Sequence, residues 1–300
     1  MVKLYAPSTM IELRERYGFK FTKSLGQNFL KDKNVIDKIV EATDITDQDL
    51  VIEIGPGFGV ITAEAAEKAK KVIAIELDKD LIPILRDTLK DYDNVEIINQ
   101  DVLKTDINGL IREAGCDKAR IIGNLPYYIT TPIIMGMLET DLIAESITVM
   151  MQKEVADRIN AKPGSKLYGQ LSVTVQYYCT TDMVTTVPKE AFFPEPQVDS
   201  AIMRLNIRKE KPVELIDESM LFRCAKAGFG QRRKTLMNSL MGLGNITKEE
   251  IGNCLADLGI DSRRRAETLS LEEFAAIANY LSSKGEQKEV TINEGSSEIK

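Results

Sequence analysis

The segment Asn124-Leu125-Pro126-Tyr127 carries the residue types in this sequence that are best suited to chemistry. It follows a short apolar strand candidate and offers an amide oxygen, backbone carbonyls whose direction a proline restricts, and an aromatic ring. Two acceptors could hold the N–H groups of an exocyclic amine while the ring stacks on its heterocycle. The lone pair of such an amine is delocalised, so acceptors that favour a tetrahedral nitrogen would make it more nucleophilic. An isolated Asn-x-Pro-Tyr is also typical of an ordinary proline-containing turn after a strand.

Polar residues stand at the carboxyl ends of four predicted strands. These ends are the turn Gly55-Pro56-Gly57 after residues 51–54, Glu76 after residues 72–75, Asp101 after residues 95–98, and Asn124 after residues 121–122. Strands that alternate with helices predict a parallel α/β sheet, and ligands bind at the carboxyl edge of such a sheet. Glu76 is placed to accept hydrogen bonds from a ribose diol, and Asp101 from the amine of an adenine ring. For Glu76, and for the less favoured Asp78, a helix cap is the structural alternative.

The glycine turn after the first of these strands departs from the dinucleotide-binding fingerprint. That fingerprint is Gly-x-Gly-x-x-Gly, whereas the third glycine here, Gly59, comes one residue early, and Pro56 removes one backbone N–H. The turn therefore favours close approach of the backbone at Gly55 and Gly57 to an uncharged part of a ligand over a phosphate cradle. A purely structural turn is the alternative.

Composition excludes several kinds of chemistry. The chain has 300 residues and no histidine, which excludes a histidine base and histidine-ligated metals, and no metal site is predicted. Its four cysteines are widely scattered, so neither a zinc site nor a disulfide framework is indicated. No apolar run approaches the roughly 20 residues needed to span a bilayer. We expect a cytoplasmic protein without a membrane partner.

Two groups of basic residues stand out against the net charge of −7. The first lies within residues 204–234 and includes Arg232-Arg233-Lys234, and the second is Arg263-Arg264-Arg265. Local basic patches, rather than total charge, govern contact with phosphates. A solvated helix face is the alternative interpretation.

Hydrophobic periodicity outlines the rest of the chain. A capping box at Thr9-x-x-Glu12 predicts a helix that begins there and extends to about residue 17. Residues 192–196, Phe-Phe-Pro-Glu-Pro, predict a stiff loop with exposed aromatic rings, or else a hydrophobic plug at the sheet edge. From about Lys209 helical patterns predominate, with a second capping box at Ser270-x-x-Glu273, so we place the domains at residues 1–208 and 209–283. The polar residues 284–300 lack helical periodicity and are expected to be disordered.

Several separate segments together resemble the bacterial small-subunit (16S) ribosomal RNA adenine N6,N6-dimethyltransferases, over residues 21–281. They are Leu25-Gly26-Gln27-Asn28-Phe29-Leu30, Glu53-Ile54-Gly55-Pro56-Gly57-Phe58-Gly59, Glu76-Leu77-Asp78, Gln100-Asp101, Gly123-Asn124-Leu125-Pro126-Tyr127-Tyr128-Ile129, Gln152-Lys153-Glu154-Val155, Phe192-Phe193-Pro194-Glu195-Pro196-Gln197-Val198-Asp199-Ser200 and Arg265-Ala266-Glu267-Thr268-Leu269-Ser270. The resemblance implies a Rossmann-like, S-adenosylmethionine-dependent methyltransferase sheet with a smaller all-helical C-terminal domain.

The resemblance also implies roles for individual residues. The methyl donor S-adenosylmethionine would be surrounded by Asn28, Leu30, Gly55, Gly57, Glu76, Asp101 and Asn124. The target adenine would be held by Asn124, Leu125, Pro126 and Tyr127, with Phe192 on its other face. The basic groups described above, rather than the resemblance, are the reason for expecting contacts to the RNA backbone from Arg232, Arg233, Lys234, Arg263, Arg264 and Arg265.

The implied function is dimethylation of two adjacent adenines in a loop near the 3′ end of small-subunit rRNA during ribosome biogenesis, by a monomer. The nearest alternative is the large-subunit rRNA adenine methyltransferase that confers antibiotic resistance, which shares the donor motifs and Asn-x-Pro-Tyr. A DNA adenine methyltransferase would need a double-strand recognition module, and no segment predicts one. From another class, a ribosome-assembly binding factor with a vestigial donor site is a further alternative.

Overall fold

The structure, a computed structural model, describes residues 3–22, 25–116, 119–244 and 246–295, with side chains up to residue 284. The described chain divides into two compact units. The first comprises the residues up to Asp157 together with Cys179–Arg208, and the second comprises Arg158–Tyr178 and the residues from Lys209 onward. No helix in the described part of the chain is long and apolar enough to cross a membrane.

A seven-stranded sheet dominates the described part of the first unit. The strands of this unit are β1 (Phe29–Leu30), β2 (Leu50–Ile54), β3 (Lys71–Glu76), β4 (Val95–Asn99), β5 (Ala119–Asn124), β6 (Ser146–Gln152), β7 (Cys179–Val187), β8 (Phe192–Phe193) and β9 (Ser200–Ile207). The sheet order is β4-β3-β2-β5-β6-β9-β7. The first five strands in this order are parallel, and β9 pairs antiparallel with both β6 and β7. The carboxyl ends of β2 to β6 therefore share one edge.

Helices of the first unit connect and cover these strands. They are α1 (Pro7–Arg16), α2 (Lys33–Thr43), α3 (Val60–Ala66), α4 (Ile82–Thr88), α5 (Ile107–Glu113), α6 (Thr130–Leu138) and α7 (Lys153–Ile159). The side chain of Asp32 caps α2 by accepting from the Asn34 N–H, and the apolar face of α2 is buried. The main core cluster joins α1, α2 and α3 to one face of the sheet.

The first helix begins earlier than its sequence predicts. Helix α1 starts at Pro7 and has no side-chain cap, so the predicted capping box at Thr9 and Glu12 is wrong. Proline fits the first turn because its fixed φ suits a helix and its missing N–H would be unpaired there in any case. Glu12 instead forms an ion pair with Arg16 one turn later, at 2.6 Å.

The second unit is helical where it is described. Its helices are α8 (Gln170–Tyr178), α9 (Glu218–Gly230), α10 (Leu236–Leu240), α11 (Lys248–Asp257) and α12 (Leu271–Gly295). The predicted capping box of α12 is present, because Ser270 Oγ accepts from the Glu273 N–H at 3.3 Å and Glu273 Oε2 accepts from the Ser270 N–H at 2.9 Å.

Two sequence expectations about this unit differ from the structure. Residues 158–178 fall within the predicted catalytic domain, but they group with the helical unit because the rings of Tyr177 and Tyr178 pack on Phe222 of α9, at 5.8 and 5.6 Å. The backbone of residues 284–295, expected to be disordered, continues α12, in a stretch without proline and rich in Glu, Gln and Lys. Residues 296–300 of the expected tail lie outside the described residues.

Candidate active site

A cleft opens at the carboxyl edge of the parallel strands. It brings together nearly all the residues that the sequence analysis assigned to the donor and the target base. Those that line it are Asn28, Leu30, Gly55, Gly57, Glu76, Asp101, Asn124, Leu125, Pro126 and Tyr127. The strand-end residues meet here because β2, β3, β4 and β5 are neighbours in the sheet and point the same way.

Phe192 does not lie in the described wall of this cleft. It belongs to β8, which pairs antiparallel with β1 so that Phe192 lies opposite Leu30, and its side chain is 0% exposed within the main core. The expectation that Phe192 is an exposed ring facing the base is therefore wrong, and the alternative of a hydrophobic plug describes it better. Its neighbour Phe193 is the partly buried ring, and it packs edge-on against Phe21 at 5.6 Å.

The turn after β2 depends on glycine at the point of closest packing. Gly57 has a φ of 59°, and a Cβ there would lie 2.8 Å from Cδ1 of Phe29. A Cβ on Gly55, by contrast, would meet nothing nearer than the Asn124 carbonyl oxygen at 3.9 Å. Gly55 therefore leaves backbone facing open space in the cleft, as close approach of a ligand requires.

Glu76 is tied to this turn by its carboxylate. Its Oε2 accepts from the Gly57 N–H at 3.2 Å and its Oε1 accepts from the Asp78 N–H at 2.8 Å. Burial raises the pKa of Glu76 to about 7, although the N–H donors of Asp78 and Gly57 oppose the rise. Glu76 lines the cleft, and each of its oxygens retains the capacity to accept a further hydrogen bond, as from a ligand hydroxyl.

A second buried carboxyl in the cleft, Glu53, was missed by the sequence analysis. Its Oε2 accepts from Thr62 Oγ1 at 2.5 Å, and its Oε1 is buried with no hydrogen-bond partner among the described residues. Burial raises the pKa of Glu53 to about 8, against the hydrogen bond from Thr62. The feature of the sequence that could have identified Glu53 is an acidic residue inside the apolar strand Leu50–Ile54. Burying a carboxyl group without a partner costs free energy, so its presence there indicates a function.

Asn124 is fixed with its oxygen available. Its Nδ2 donates to the backbone carbonyl of Asn28 at 2.8 Å, which requires the nitrogen of the amide to face that carbonyl. The neighbouring Leu125 N–H donates to the carbonyl of Met150 at 3.0 Å, which positions the next peptide. Asn124 Oδ1 and the Leu125 carbonyl accept no hydrogen bond from the described residues. They supply two acceptors from adjacent residues.

Tyr127 is held at both ends. Its backbone follows β5, and its hydroxyl lies 2.5 Å from Oγ of Ser200, a buried residue at the start of β9. Burial raises the pKa of this phenol, so the ring stays neutral. Tyr128, which is 52% exposed, also lines the cleft and lies against Gly26. The cleft thus has a fixed ring inside it and a solvent-facing ring beside it.

Two further polar contacts organise the wall near Asp101. Asp101 Oδ1 accepts from the Leu103 N–H at 3.0 Å and caps the short 3₁₀ helix that follows β4. Gln27 Nε2 donates to Asp78 Oδ2 at 2.7 Å, which ties the loop before β1 to the end of β3. Gln27 was named only as part of a motif, because a contact across 51 residues leaves no local sequence signal.

The charged side chains that line the cleft disfavour anionic ligands such as phosphate. The described lining includes the acidic side chains of Glu53, Glu76 and Asp101 but no lysine or arginine. Acidic groups without cations disfavour phosphate and favour a ligand with positive charge, hydroxyls and amines. This agrees with the expectation that the glycine turn does not cradle a phosphate.

The six basic residues assigned to RNA lie in the helical unit and fall into two sets. Arg232, Arg263 and Arg264 have partners within the chain: Arg232 donates to two carbonyls, Arg263 pairs with Asp261 at 3.0 Å, and Arg264 pairs with Glu273. Arg233, Lys234 and Arg265 are exposed and form no ion pair with the described residues. The number of charges is visible in the sequence, but the division into these two sets is not.

The sheet with its antiparallel edge, the acidic strand ends and the fixed Asn-Leu-Pro-Tyr segment together define an S-adenosylmethionine-dependent methyltransferase. Comparison with known proteins narrows this class. The family model described as "Ribosomal RNA adenine dimethylase" matches residues 18–283, so the chain belongs to that family.

Individual relatives agree with this assignment. The chain is 50% identical over 289 residues to "Ribosomal RNA small subunit methyltransferase A" of Clostridioides difficile, covering 96% of this chain and 100% of that protein. It is 51% identical over 275 residues to the protein of the same name from Bacillus licheniformis, covering 90% and 94%. Among solved structures, a dimethyladenosine transferase from Plasmodium falciparum aligns with a TM-score of 0.74 at 26% identity, over 86% of this chain and 98% of that one. The 23S rRNA methyltransferase ErmE aligns with a TM-score of 0.66 at 26% identity, over 85% and 100%.

Proposed function

We propose that this enzyme transfers methyl groups from S-adenosylmethionine to the N6 amines of two adjacent adenines near the 3′ end of small-subunit (16S) rRNA, during ribosome biogenesis. The observation that carries the proposal is the pair of acceptors formed by Asn124 Oδ1 and the Leu125 carbonyl at the edge of an acidic cleft. Relatives about 50% identical to this chain are named for the small subunit, which supports the choice of RNA.

The donor fits the acidic part of the cleft. S-adenosylmethionine supplies a methyl carbon on a positively charged sulfur, together with an amino group, a ribose diol and an adenine. Glu76 would accept from the ribose hydroxyls, and Asp101 from the adenine amine. The unpartnered Oε1 of Glu53 would face positive charge of the donor. Asn28, Leu30, Gly55 and Gly57 complete this part of the wall.

The target adenine would stack on Tyr127, a contact worth about 1–3 kcal/mol per base. Asn124 Oδ1 and the Leu125 carbonyl oxygen would then accept hydrogen bonds from the two N–H groups of its amine. These hydrogen bonds would orient the nitrogen lone pair towards the methyl carbon. A nitrogen–carbon bond forms as the carbon–sulfur bond breaks, and the proton of the cationic product nitrogen leaves to water. No strong base is needed, which suits a chain without histidine.

The second methylation requires fewer hydrogen-bond acceptors than the first. After the first transfer the amine retains one N–H, so one acceptor suffices, and the pocket must seat one methyl group. A neutral amide tolerates either substrate because it carries no charge that must be paired.

RNA recognition is proposed for the basic side chains of the helical unit. Arg233, Lys234 and Arg265 are the best candidates for phosphate contacts because they are exposed and unpaired among the described residues. Arg263 can bind a phosphate only if its ion pair with Asp261 breaks, and Arg264 only if its ion pair with Glu273 breaks. Charge reversal at Arg233 should therefore flatten the salt dependence of RNA binding more than charge reversal at Arg264.

The enzyme is proposed to act in the cytoplasm as a monomer, with no membrane involved.

The main rival is methylation of the large subunit, since the structure also aligns with a 23S rRNA methyltransferase. That similarity is 26% identity, against about 50% for proteins named for the small subunit. The test is to supply labelled donor with purified small and large subunits from cells that lack the modification. Label in the small subunit alone is expected, and label in the large subunit alone would contradict the proposal. Donor binding without transfer to either would instead favour an assembly factor with a vestigial site.

A further inference from the structure

The guanidinium group of Arg232 donates hydrogen bonds to the backbone of a loop, residues 162–168, which was predicted to belong to the other domain. Its Nη2 donates to the carbonyl of Lys166 at 2.8 Å and to the carbonyl of Tyr168 at 2.7 Å. Both acceptors belong to residues 162–168, which precede α8 in the helical unit. A single guanidinium nitrogen therefore fixes two peptides of this loop.

Backbone hydrogen bonds join this loop to both basic segments. The Gly164 N–H donates to the Glu267 carbonyl at 2.6 Å, two residues after Arg265. The Leu236 N–H donates to the Arg264 carbonyl at 2.6 Å, two residues after Lys234. The loop of residues 162–168, the segment of residues 231–236 and the segment of residues 261–268 therefore form one continuous patch, which we call the basic surface.

The loop is anchored from below by an aromatic side chain. Tyr168 is 1% exposed and its ring packs edge-on against Phe229 at 5.6 Å. Phe229 in turn packs against Phe274 of α12 at 5.7 Å. The anchored backbone leaves Lys162 and Lys166 exposed on the outside.

The charge of the basic surface is unbalanced. Asp261 is paired with Arg263, and Arg264 is paired with Glu273. After these pairs are removed, the cations that form no ion pair with the described residues are Lys162, Lys166, Arg232, Arg233, Lys234 and Arg265, of which Arg232 donates to backbone carbonyls. Within the three segments only the carboxylate of Glu267 remains against them.

We infer that residues 162–168 form a third part of the RNA-binding surface, with Lys162 and Lys166 contacting phosphates and Arg232 holding the loop in place. The inference rests on the proposed function, because RNA is the partner. Flexible lysines on a rigid backbone suit phosphates, which they meet as point charges. Arg232 thus acts through the loop, as a positioning residue.

The primary test is the double variant Lys162→Gln/Lys166→Gln. Its binding to unmethylated small subunits is measured as a function of salt. Removing one phosphate contact should reduce the slope of log K against log salt by about 0.7–0.9, so removing two should reduce it by roughly 1.5. The matched control is Lys68→Gln/Lys70→Gln, which changes net charge equally at exposed sites before β3, at the opposite edge of the sheet from the cleft. An unchanged slope in the first variant, or an equal reduction in the control, would overturn the inference.

A second variant tests the assigned role of Arg232. Arg232→Lys keeps the positive charge but loses the geometry that spans two carbonyls. It should weaken RNA binding in the natural chain and have little further effect in the Lys162→Gln/Lys166→Gln background. Additive losses would mean that Arg232 contacts the RNA itself, and that its role as holder of the loop is wrong.

Two parallel measurements separate this inference from the proposed function. Methyl transfer to small subunits by the unaltered protein tests the function alone, and it can succeed while the lysine variant binds normally. Protein-free small-subunit rRNA serves as a second probe in the binding assay. If the lysine variant loses affinity for whole subunits but not for this RNA, the loop meets an acidic protein and the inference fails. Unchanged donor affinity shows that the first unit is intact in every variant, and an unchanged circular dichroism spectrum and thermal unfolding curve show the same for the helical unit.

Discussion

Replacing Asn124 with alanine removes an amide whose two ends have different roles. Its Nδ2 holds the side chain in place, and its Oδ1 is one of the two proposed acceptors for the target amine. The Nδ2 of Asn124 donates to the Asn28 carbonyl at 2.8 Å, and this bond directs Oδ1 away from the same carbonyl. The donor wall changes little, because Glu53, Glu76 and Gly55 do not depend on the amide for their contacts. The target amine is left with one of its two proposed acceptors.

The size of the effect follows from the role of the amide that alanine removes. A preorganised hydrogen-bonding group that acts on the reacting atoms contributes about 10²–10³-fold in kcat, or roughly 3–4 kcal/mol. The partly buried carbonyl of Asn28 is left without its donor, which costs on the order of 1 kcal/mol of stability. We therefore expect the Kd for the donor to stay within about tenfold while kcat falls by at least about a hundredfold.

Asn124→Asp provides a matched variant of nearly the same shape. A carboxylate oxygen would face the Asn28 carbonyl at the position of the donating nitrogen, where two acceptors repel. Protonation restores a donor there and leaves the other oxygen as an acceptor. The activity of Asn124→Asp relative to the natural enzyme should therefore increase as the pH is lowered.

The assay combines calorimetric titration of the donor with single-turnover methyl transfer to unmethylated small subunits. Parallel losses of donor affinity and transfer in Asn124→Ala would refute the reasoning, since Asn124 would then only build the donor wall. A flat pH ratio for Asn124→Asp would refute the assigned orientation of the amide.

Three other interactions give further predictions. Burial raises the pKa of Glu53 to about 8, so a cationic donor that pairs with this carboxylate must displace a proton below that value. Donor affinity should therefore rise with pH by up to about tenfold per unit below that value. Glu53→Gln should reduce the rise to the part that comes from Glu76, whose pKa burial raises to about 7, and an unaltered profile in calorimetry would contradict this. Ser200→Ala removes the hydrogen bond that holds the ring of Tyr127 in place. It should raise KM for the RNA about fivefold and leave the Kd for the donor unchanged. Weakened donor binding alone would show that Ser200 does not act through the ring. Arg120→Ala removes the cation whose Nε lies 3.0 Å from Oδ2 of the buried Asp49, while two hydrogen bonds from Thr46 to that oxygen remain. It should lower the free energy of unfolding in urea by about 3 kcal/mol, the low end for a broken buried ion pair. A change below about 1 kcal/mol would mean that the pair contributes little.

The positions that could be read from the sequence are those that local patterning determines. Apolar runs predicted the strands that end at Glu76 and Asn124, and the direction of parallel strands placed these ends on one edge. The Ser270 capping box was likewise predicted correctly, because its two hydrogen bonds span only three residues.

The positions that were missed depend on distant partners. Phe192 was expected to be exposed because a Pro-rich segment predicts a loop, but it pairs with Leu30, which is remote from it in the chain. Residues 158–178 join the helical unit through packing that no periodicity reveals. Charge counting found Arg264, yet only the fold shows that Glu273 already occupies it.

The most direct test of the central claim is the chemical identity of the product. Small-subunit rRNA from a reaction with purified enzyme and donor would be digested with a ribonuclease to locate the modified oligonucleotide, and this oligonucleotide would be digested to nucleosides, with mass spectrometry at both steps. The expected product is N6,N6-dimethyladenosine at two adjacent positions near the 3′ end. Methyl groups on a ribose, on a ring carbon or on any base other than adenine would contradict it.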